Sequence, residues 1–207
     1  MIANSIFDIY TERYDEWFCE HTHAFLSELR ALQREFINGG RGIEIGIGTG
    51  RFAQALSIRF GVDISYPMVR IAKNRGCEVA VADAENLPLA QNTFDYALLM
   101  VTICFVRNPQ KVIREARRII TRNGKLIVGI IDKKSFLGSL YQKRKSPFYG
   151  VAHFYSAVEV IDMLRRNRFR NIEVSQTLFQ APEELHTLDE IRAGHGQGGF
   201  VVITGVK

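Results

Sequence analysis

The run Glu44-Ile45-Gly46-Ile47-Gly48-Thr49-Gly50-Arg51 constrains this chain most, because a short apolar strand enters a glycine-rich turn and passes straight into a helical segment. Glycine permits positive φ and puts no Cβ between the loop and a ligand, while the following helix directs free N–H groups at it. The layout predicts a nucleotide-sized pocket. A dinucleotide fingerprint would read G-x-G-x-x-G with a small residue at 51, whereas the third glycine here is Gly50 and Arg51 is bulky. Glu44 places a carboxylate at the strand tip, which repels a pyrophosphate and suits a ligand bearing an amino or sulfonium cation. Taken alone, the loop also reads as a tight strand-to-helix connection.

Two further acidic signals lie downstream. Asp63 ends a second apolar strand, Phe60-Gly61-Val62-Asp63, roughly 20 residues after the glycine loop, as a ribose-binding carboxylate would. It could instead cap the helix that starts near Ser65. A third strand, Cys77 to Ala82, runs into Asp83-Ala84-Glu85-Asn86-Leu87-Pro88-Leu89, and Asn92-Thr93-Phe94-Asp95 opens a fourth that reaches Met100. Glu44, Asp63 and Asp83 thus stand at the carboxyl ends of three successive predicted strands, where open α/β sheets bind ligands. Asp95 is assigned a structural role.

Taken in this order, these segments resemble the class I S-adenosylmethionine-dependent methyltransferases, and among them the small type 11 group that includes quinone-precursor methyltransferases. The resemblance runs from Phe7 to the C-terminus. It implies an α/β fold: a three-layer, doubly wound, Rossmann-like sheet of seven mostly parallel strands with an antiparallel last strand, helices on both faces and an N-terminal helical lid. The implied cofactor is S-adenosylmethionine. The resemblance assigns Glu44, Gly46 and Gly48 to its binding loop, Asp63 to the ribose hydroxyls, Ile64 and Met68 to the adenine faces, and Asp83 and Ala84 to the adenine edge. Met100 and Val101, at the end of the fourth strand, complete that set. Tyr10 and Tyr14 are expected to help the lid close the pocket. Many relatives carry a histidine near the position of Phe105, so the phenylalanine departs from the quinone-type pattern; an aromatic there suits a flat or cationic substrate.

A chain of 207 residues is long enough for one well-buried core and short for two domains. The expectation is one methyltransferase domain over residues 1–207, with a helical segment at 1–38, a cofactor half at 39–132 and a substrate half at 133–207. Met1-Ile2-Ala3-Asn4-Ser5 lacks a basic leader and no apolar run reaches about 18 residues, which predicts a cytoplasmic protein with no membrane contact. Cys19, Cys77 and Cys104 are odd in number and widely spaced, and read as free thiols with no metal site. His21 and His23 fall on different faces of a helix and read as surface residues. The net charge of +5 is spread over groups such as Arg114, Arg117 and Arg118, read as solvated helix faces and not as a nucleic-acid footprint.

Apolar residues at three- and four-residue steps predict helix over 11–37, and Asn108-Pro109 should start another through Ile120 that Asn123-Gly124 ends. Lys125 to Ile131 then supplies a fifth strand. Ser156 with Glu159 forms a capping box, and Asn171 to Phe179 with Gly199 to Val206 make two closing strands, which the resemblance implies form a hairpin with the last strand antiparallel.

The residues after strand four constrain the reaction. Enzymes that methylate exocyclic base amines carry Asn or Asp, two prolines and an aromatic there, whereas this chain has Met100-Val101-Thr102-Ile103. Cys104 lies in an apolar run with no cation to activate it as a nucleophile. Direct displacement by an N, O, S or C nucleophile remains. Alignment and exclusion of water contribute roughly 7 to 11 kcal/mol to such a step. An oxygen acceptor would benefit from a base, for which His153 is the first candidate and His195 the second, the plainer reading of each being a surface or packing histidine. Asp132 to Phe154, rich in aromatics, should shape the pocket of a small-molecule methyl acceptor. An RNA methyltransferase, which needs a basic stripe beside the pocket, and a non-catalytic S-adenosylmethionine-binding module are the alternatives.

Overall fold

The computed structural model describes residues 6–36 and 39–207. Met1 to Ser5, and Ile37 and Asn38 at the end of the N-terminal segment, lie outside the described residues. Three helices, α1 (Ile6–Ile9), α2 (Thr11–Glu20) and α3 (Thr22–Gln33), precede β1 (Gly42–Ile45). The chain continues through α4 (Arg51–Ala55), β2 (Phe60–Asp63), α5 (Tyr66–Asn74), β3 (Glu78–Val81), β4 (Phe94–Met100), α6 (Pro109–Ile119) and β5 (Ile120–Ile131). It closes with α7 (Phe136–Lys143), α8 (Ala157–Arg166), β6 (Arg170–Thr177), β7 (Arg192–Ala193) and β8 (Phe200–Val206).

The strands form one sheet in the order β3-β2-β1-β4-β5-β8-β6-β7. The first five in that order pair in parallel, and β8 lies antiparallel between β5 and β6. Chain direction through the sheet reverses at β1 and β4, which opens a crevice beyond their carboxyl ends. The doubly wound architecture is the one expected, but the strands among the described residues number eight. The extra one, β7, has only two residues, and its exposed Arg192 and Ala193 offer no alternation that a sequence reading could find.

Alternation along the central strands fills two cores. Leu98 and Met100 of β4 pack with Phe18, Leu29, Leu32 and Phe52 on the face of the N-terminal helices. Ala97 and Leu99 face Val112, Ile113, Val160 and Leu164 from α6 and α8 on the other. Both expected N-terminal signals hold: Asn108 caps α6 by accepting from the Lys111 N–H, and Ser156 with Glu159 forms the capping box of α8.

Four expectations are corrected. The helix expected over 11–37 is, among the described residues, two helices that end at Gln33 and are broken at His21, whose Nδ1 lies 3.0 Å from the Trp17 carbonyl and whose ring stacks on Trp17 at 4.8 Å; His21 is half-buried, not a surface residue. Asn123-Gly124 does not end a helix. It sits in an irregularity inside β5, where Phe94 pairs with Ile120 but Tyr96 with Lys125, and Asn123 takes φ +63. Arg118 does not belong to a solvated face: it pairs with Glu115 at 2.8 Å and donates to the Leu87 and Leu89 carbonyls, which pins the loop before β4. Asp95 accepts from the Arg41 N–H at 2.8 Å, a structural role as expected.

Candidate functional site

The glycine loop leaves β1 with Gly46 at φ +76 and Gly48 at φ +54, conformations that L side chains rarely adopt. The space a Cβ would need is filled by protein. At Gly46 it would collide with the Thr102 side chain, and at Gly48 it would meet the Tyr14 ring at 3.4 Å. Thr102 in turn donates to the Ile45 carbonyl at 3.1 Å, so the turn after β4 is fastened to the tip of β1. Val101, next to it, is β-branched yet held at φ +50, a strained conformation of the kind that collects at functional sites.

Carboxylates crowd the neighbouring strand tips. Glu44 is only 2% exposed, and its Oε2 has no hydrogen-bond partner. Burial pushes its pKa well above the usual carboxylate range; the Ala53 N–H lowers it in part, and the Asp63 charge raises it further. Asp63 accepts from the Gly48 N–H at 2.8 Å and the Ser65 N–H at 2.9 Å. Burial raises its pKa against these bonds. The capping of α5 falls to Ser65, which accepts from the Met68 N–H and donates to Asp8 of α1 at 2.6 Å. Asp83 lies half-buried just beyond β3 and accepts from the Glu85 N–H at 2.8 Å. Ile64 is 46% exposed, whereas Met68 is buried at 1%. Ala84 and Met100 pack into the two cores, on opposite faces of the sheet.

The N-terminal helices lie against this loop, and Asp15 of α2 ties them to it. Asp15 of α2 accepts from Thr49 Oγ1 at 2.6 Å and from the guanidinium groups of Arg51 at 2.6 Å and Arg75 at 2.7 Å, while Arg75 also donates to the Thr49 carbonyl. Burial opposes its ionisation, but the bonds from Arg51, Arg75 and Thr49 prevail and hold its carboxyl well below the usual range. The sequence reading missed Asp15, since its partners are more than thirty positions away.

Aromatic rings from three segments meet over the loop. Phe7 of α1 lies 4.8 Å from Phe105, 5.6 Å from Phe148 and 5.9 Å from Tyr14. Tyr14 is 6.1 Å, and Tyr10 6.2 Å, from Phe148. The structure thus brings together three of the four predicted substrate-side residues, Tyr10, Tyr14 and Phe105, and adds Phe7 and Phe148. His153 is placed apart. Its side chain is exposed, its ring rests on Tyr155 at 4.6 Å, and only its backbone, donating to the Cys104 carbonyl, approaches the cluster. His195 is exposed in the loop before β8. Burial pushes the Cys104 thiol up to about 12, which removes it as a nucleophile.

Glu28 of α3 is the second residue that sequence reading missed. It is 3% exposed, burial pushes its carboxyl up to about 8, and its charge raises the pKa of Tyr14, Tyr141 and Tyr149. A signal did exist: Glu28 falls three residues after Phe25 and four before Leu32, on the apolar stripe of its helix, where a charge is out of place.

Comparison with known proteins agrees with this geometry. A family model described as a methyltransferase domain, of type 11, matches residues 43–128. A crystal structure of an S-adenosylmethionine-dependent methyltransferase from Thermotoga maritima, described as a possible histamine N-methyltransferase, is 47% identical and superposes with a TM-score of 0.94 over 98% of both chains. An uncharacterized protein of Methanocaldococcus jannaschii is 47% identical over 205 residues, covering 98% of this chain and 99% of its own. One from Mycobacterium tuberculosis is 36% identical over 93% of this chain and 70% of its own. A match of that closeness over nearly the whole length, on a doubly wound sheet with the methyltransferase domain at its centre, places this chain in the class I, type 11 S-adenosylmethionine-dependent methyltransferases, an enzyme family whose cofactor is S-adenosylmethionine.

Proposed function

We propose that the chain methylates a nitrogen of a small amine. The observation that carries this reading is the roof of aromatic rings over the glycine loop, Phe7, Tyr14, Phe105 and Phe148, with no histidine ring among its contacts. Flat aromatic faces suit a small planar or cationic acceptor. An uncharged amine attacks with its own lone pair and needs no base, whereas a phenol would call for one, and His153 points into solvent. The relative from Thermotoga maritima, with its description as a possible histamine N-methyltransferase, points to the same acceptor class.

The residues at the strand tips fit the cofactor. The orphaned Oε2 of Glu44 is a buried anionic acceptor for the amino group. Each Asp63 oxygen accepts one backbone N–H, which leaves lone pairs for the two ribose hydroxyls. Asp83 with Ala84 would read the adenine edge, exposed Ile64 and, from beneath, Met68 would flank the ring, and Gly46, Gly48, Met100 and Val101 would shape the floor. When bound, S-adenosylmethionine would supply an activated methyl, to which the acceptor lone pair bonds as the methyl–sulfur bond breaks and S-adenosylhomocysteine leaves. The methylated nitrogen sheds its extra proton to solvent. Asp15 and the lid exclude water, and the aromatic roof aligns the acceptor. In this reading residues 39–132 hold the cofactor, and residues 133–207 with the lid hold the acceptor, within one domain.

RNA is a poorer fit. Arg51 and Arg75, which flank the loop, are both committed to Asp15 and so are not free to neutralise phosphates. No helix among the described residues is long and apolar enough to cross a membrane.

The test is a panel of histamine, other small aromatic and aliphatic amines, phenols and transfer RNA, with S-adenosylhomocysteine formation as the readout. Turnover of amines that is insensitive to salt is expected. Transfer to RNA alone, with a steep salt dependence, or to phenols alone, would overturn the reading. In a companion measurement, Asp63→Ala should weaken cofactor affinity at least tenfold, since a charge-assisted hydrogen bond is worth about 1.5 to 3 kcal/mol. Unchanged calorimetric affinity would remove Asp63 from the ribose.

A further inference from the structure

With the N-terminal helices down, the chain covers its own cofactor site. Glu44, the carboxylate fitted above to the cofactor's amino group, is 2% exposed. On the glycine loop, the place of a Gly48 side chain is taken by the Tyr14 ring, whose Cε1 and Oη come within 3.4 and 3.5 Å of where a Cβ would stand. A loop without side chains lets a ligand approach its backbone closely, and here a ring of the same chain makes that approach. The ring is backed by Phe18 at 5.4 Å, Phe7 at 5.9 Å and Phe148 at 6.1 Å.

The same helices are fastened at two points. Asp15, the next residue after Tyr14, accepts from Thr49 inside the loop, from Nε and Nη2 of Arg51 at its exit, and from Arg75 at the end of α5. Three side chains therefore depend on one carboxylate, and losing its charge loosens all three at once. Ser65 donates to Asp8 at 2.6 Å, which fixes α1 beside Asp63 at the tip of β2. Because Tyr14 and Asp15 are neighbours on α2, the ring leaves Gly48 only when the Asp15 bonds give way.

We propose that the lowered helices are a self-occluding gate: Tyr14 stands where the cofactor must lie, Asp15 latches it there, and S-adenosylmethionine enters and S-adenosylhomocysteine leaves only after α1 and α2 have lifted. Opening precedes binding, so cofactor exchange runs at the rate at which the latch breaks and not at the rate of encounter. The entering ligand takes the place of the ring, and Asp15 refastens the helices behind it. The gate operates whichever acceptor is methylated.

The test is stopped-flow binding of S-adenosylhomocysteine to the full chain, followed by the fluorescence of Trp17, the one tryptophan, which lies on α2. In the wild type the observed rate should level off as ligand is raised, at the rate of opening. Asp15→Asn, uncharged and of the same shape, should raise that ceiling roughly tenfold or more, the factor expected for the loss of a charge-assisted hydrogen bond. Tyr14→Ala uncovers Gly48 and leaves Asp15 in place, and should give rates that climb in proportion to ligand. Should Asp15→Asn fold poorly, salt raised from about 0.1 M to about 1 M weakens the same latch in the wild type by screening and should lift its ceiling. A wild-type rate proportional to ligand throughout overturns the gate, and so does a ceiling unmoved by both Asp15→Asn and salt. A ceiling that persists in Tyr14→Ala overturns it as well, because the slow step would then be closure after binding.

Discussion

Replacing Glu28 with glutamine should stabilise the protein, and more so as pH rises. Burial moves this carboxyl from an ordinary 4.5 to about 8, so ionising it in the folded state is harder than in the unfolded chain by about 5 kcal/mol, at about 1.36 kcal/mol per pH unit. The folded pKa is the raised one. Below pH 4.5 both states hold the proton and nothing is lost; between 4.5 and about 8 the unfolded chain ionises first and the folded state loses stability steadily; above about 8 the penalty is constant. Glutamine keeps the volume and never ionises. Because side-chain relaxation and the effective dielectric of real interiors soften such penalties, the gain expected at high pH is about 2 to 5 kcal/mol. The assay is urea denaturation of wild type and Glu28→Gln at pH 5 and pH 8.5, comparing midpoints and slopes. The stability difference between the two proteins should grow in favour of glutamine across that interval. A difference that does not change with pH would show that the carboxylate is solvated or paired, and would refute the reasoning about Glu28 altogether.

Three other outcomes are expected. Asp15→Asn, which breaks both guanidinium pairs, should cost about 1 to 3 kcal/mol in denaturant unfolding at neutral pH; the Asp15 pKa is depressed, so the loss should be present above pH 3.8 and fade as pH falls through its folded value, and an undiminished loss in strong acid would argue against it. Because Glu44 is buried and protonates easily when alone, binding of S-adenosylhomocysteine should release a proton and weaken as pH falls; identical calorimetric enthalpies in buffers of different ionisation heat would contradict this. Gly46→Ala should lose about 1 to 3 kcal/mol, because φ +76 is unfavourable for alanine and the new methyl meets Thr102; an unchanged melting temperature would show that the loop relaxes freely.

Much of this molecule was legible in one dimension. The glycine loop, the three acidic strand tips and the alternation of apolar strands with amphipathic helices are local patterns, set by φ restrictions and by periods of 2 and 3.6, and they led to the doubly wound sheet and its family. The caps at Asn108 and Ser156 were equally local. Errors arose where a local signal competed with a distant partner. Asn123-Gly124 reads as a helix stop and is a bulge because β4 pairs past it, and Arg118 reads as solvated and is fastened to carbonyls 29 and 31 positions away. The site divides in the same way. Which carboxylates stand at strand tips depends on their place in the chain. That Asp15 clamps the lid, that His153 faces water, and that Glu28 is buried depend on contacts made only when α2, α3 and the segment around Tyr141 to Phe154 close together. Charge is a property of the residue, but its cost is a property of the surroundings, and those exist only in the folded chain.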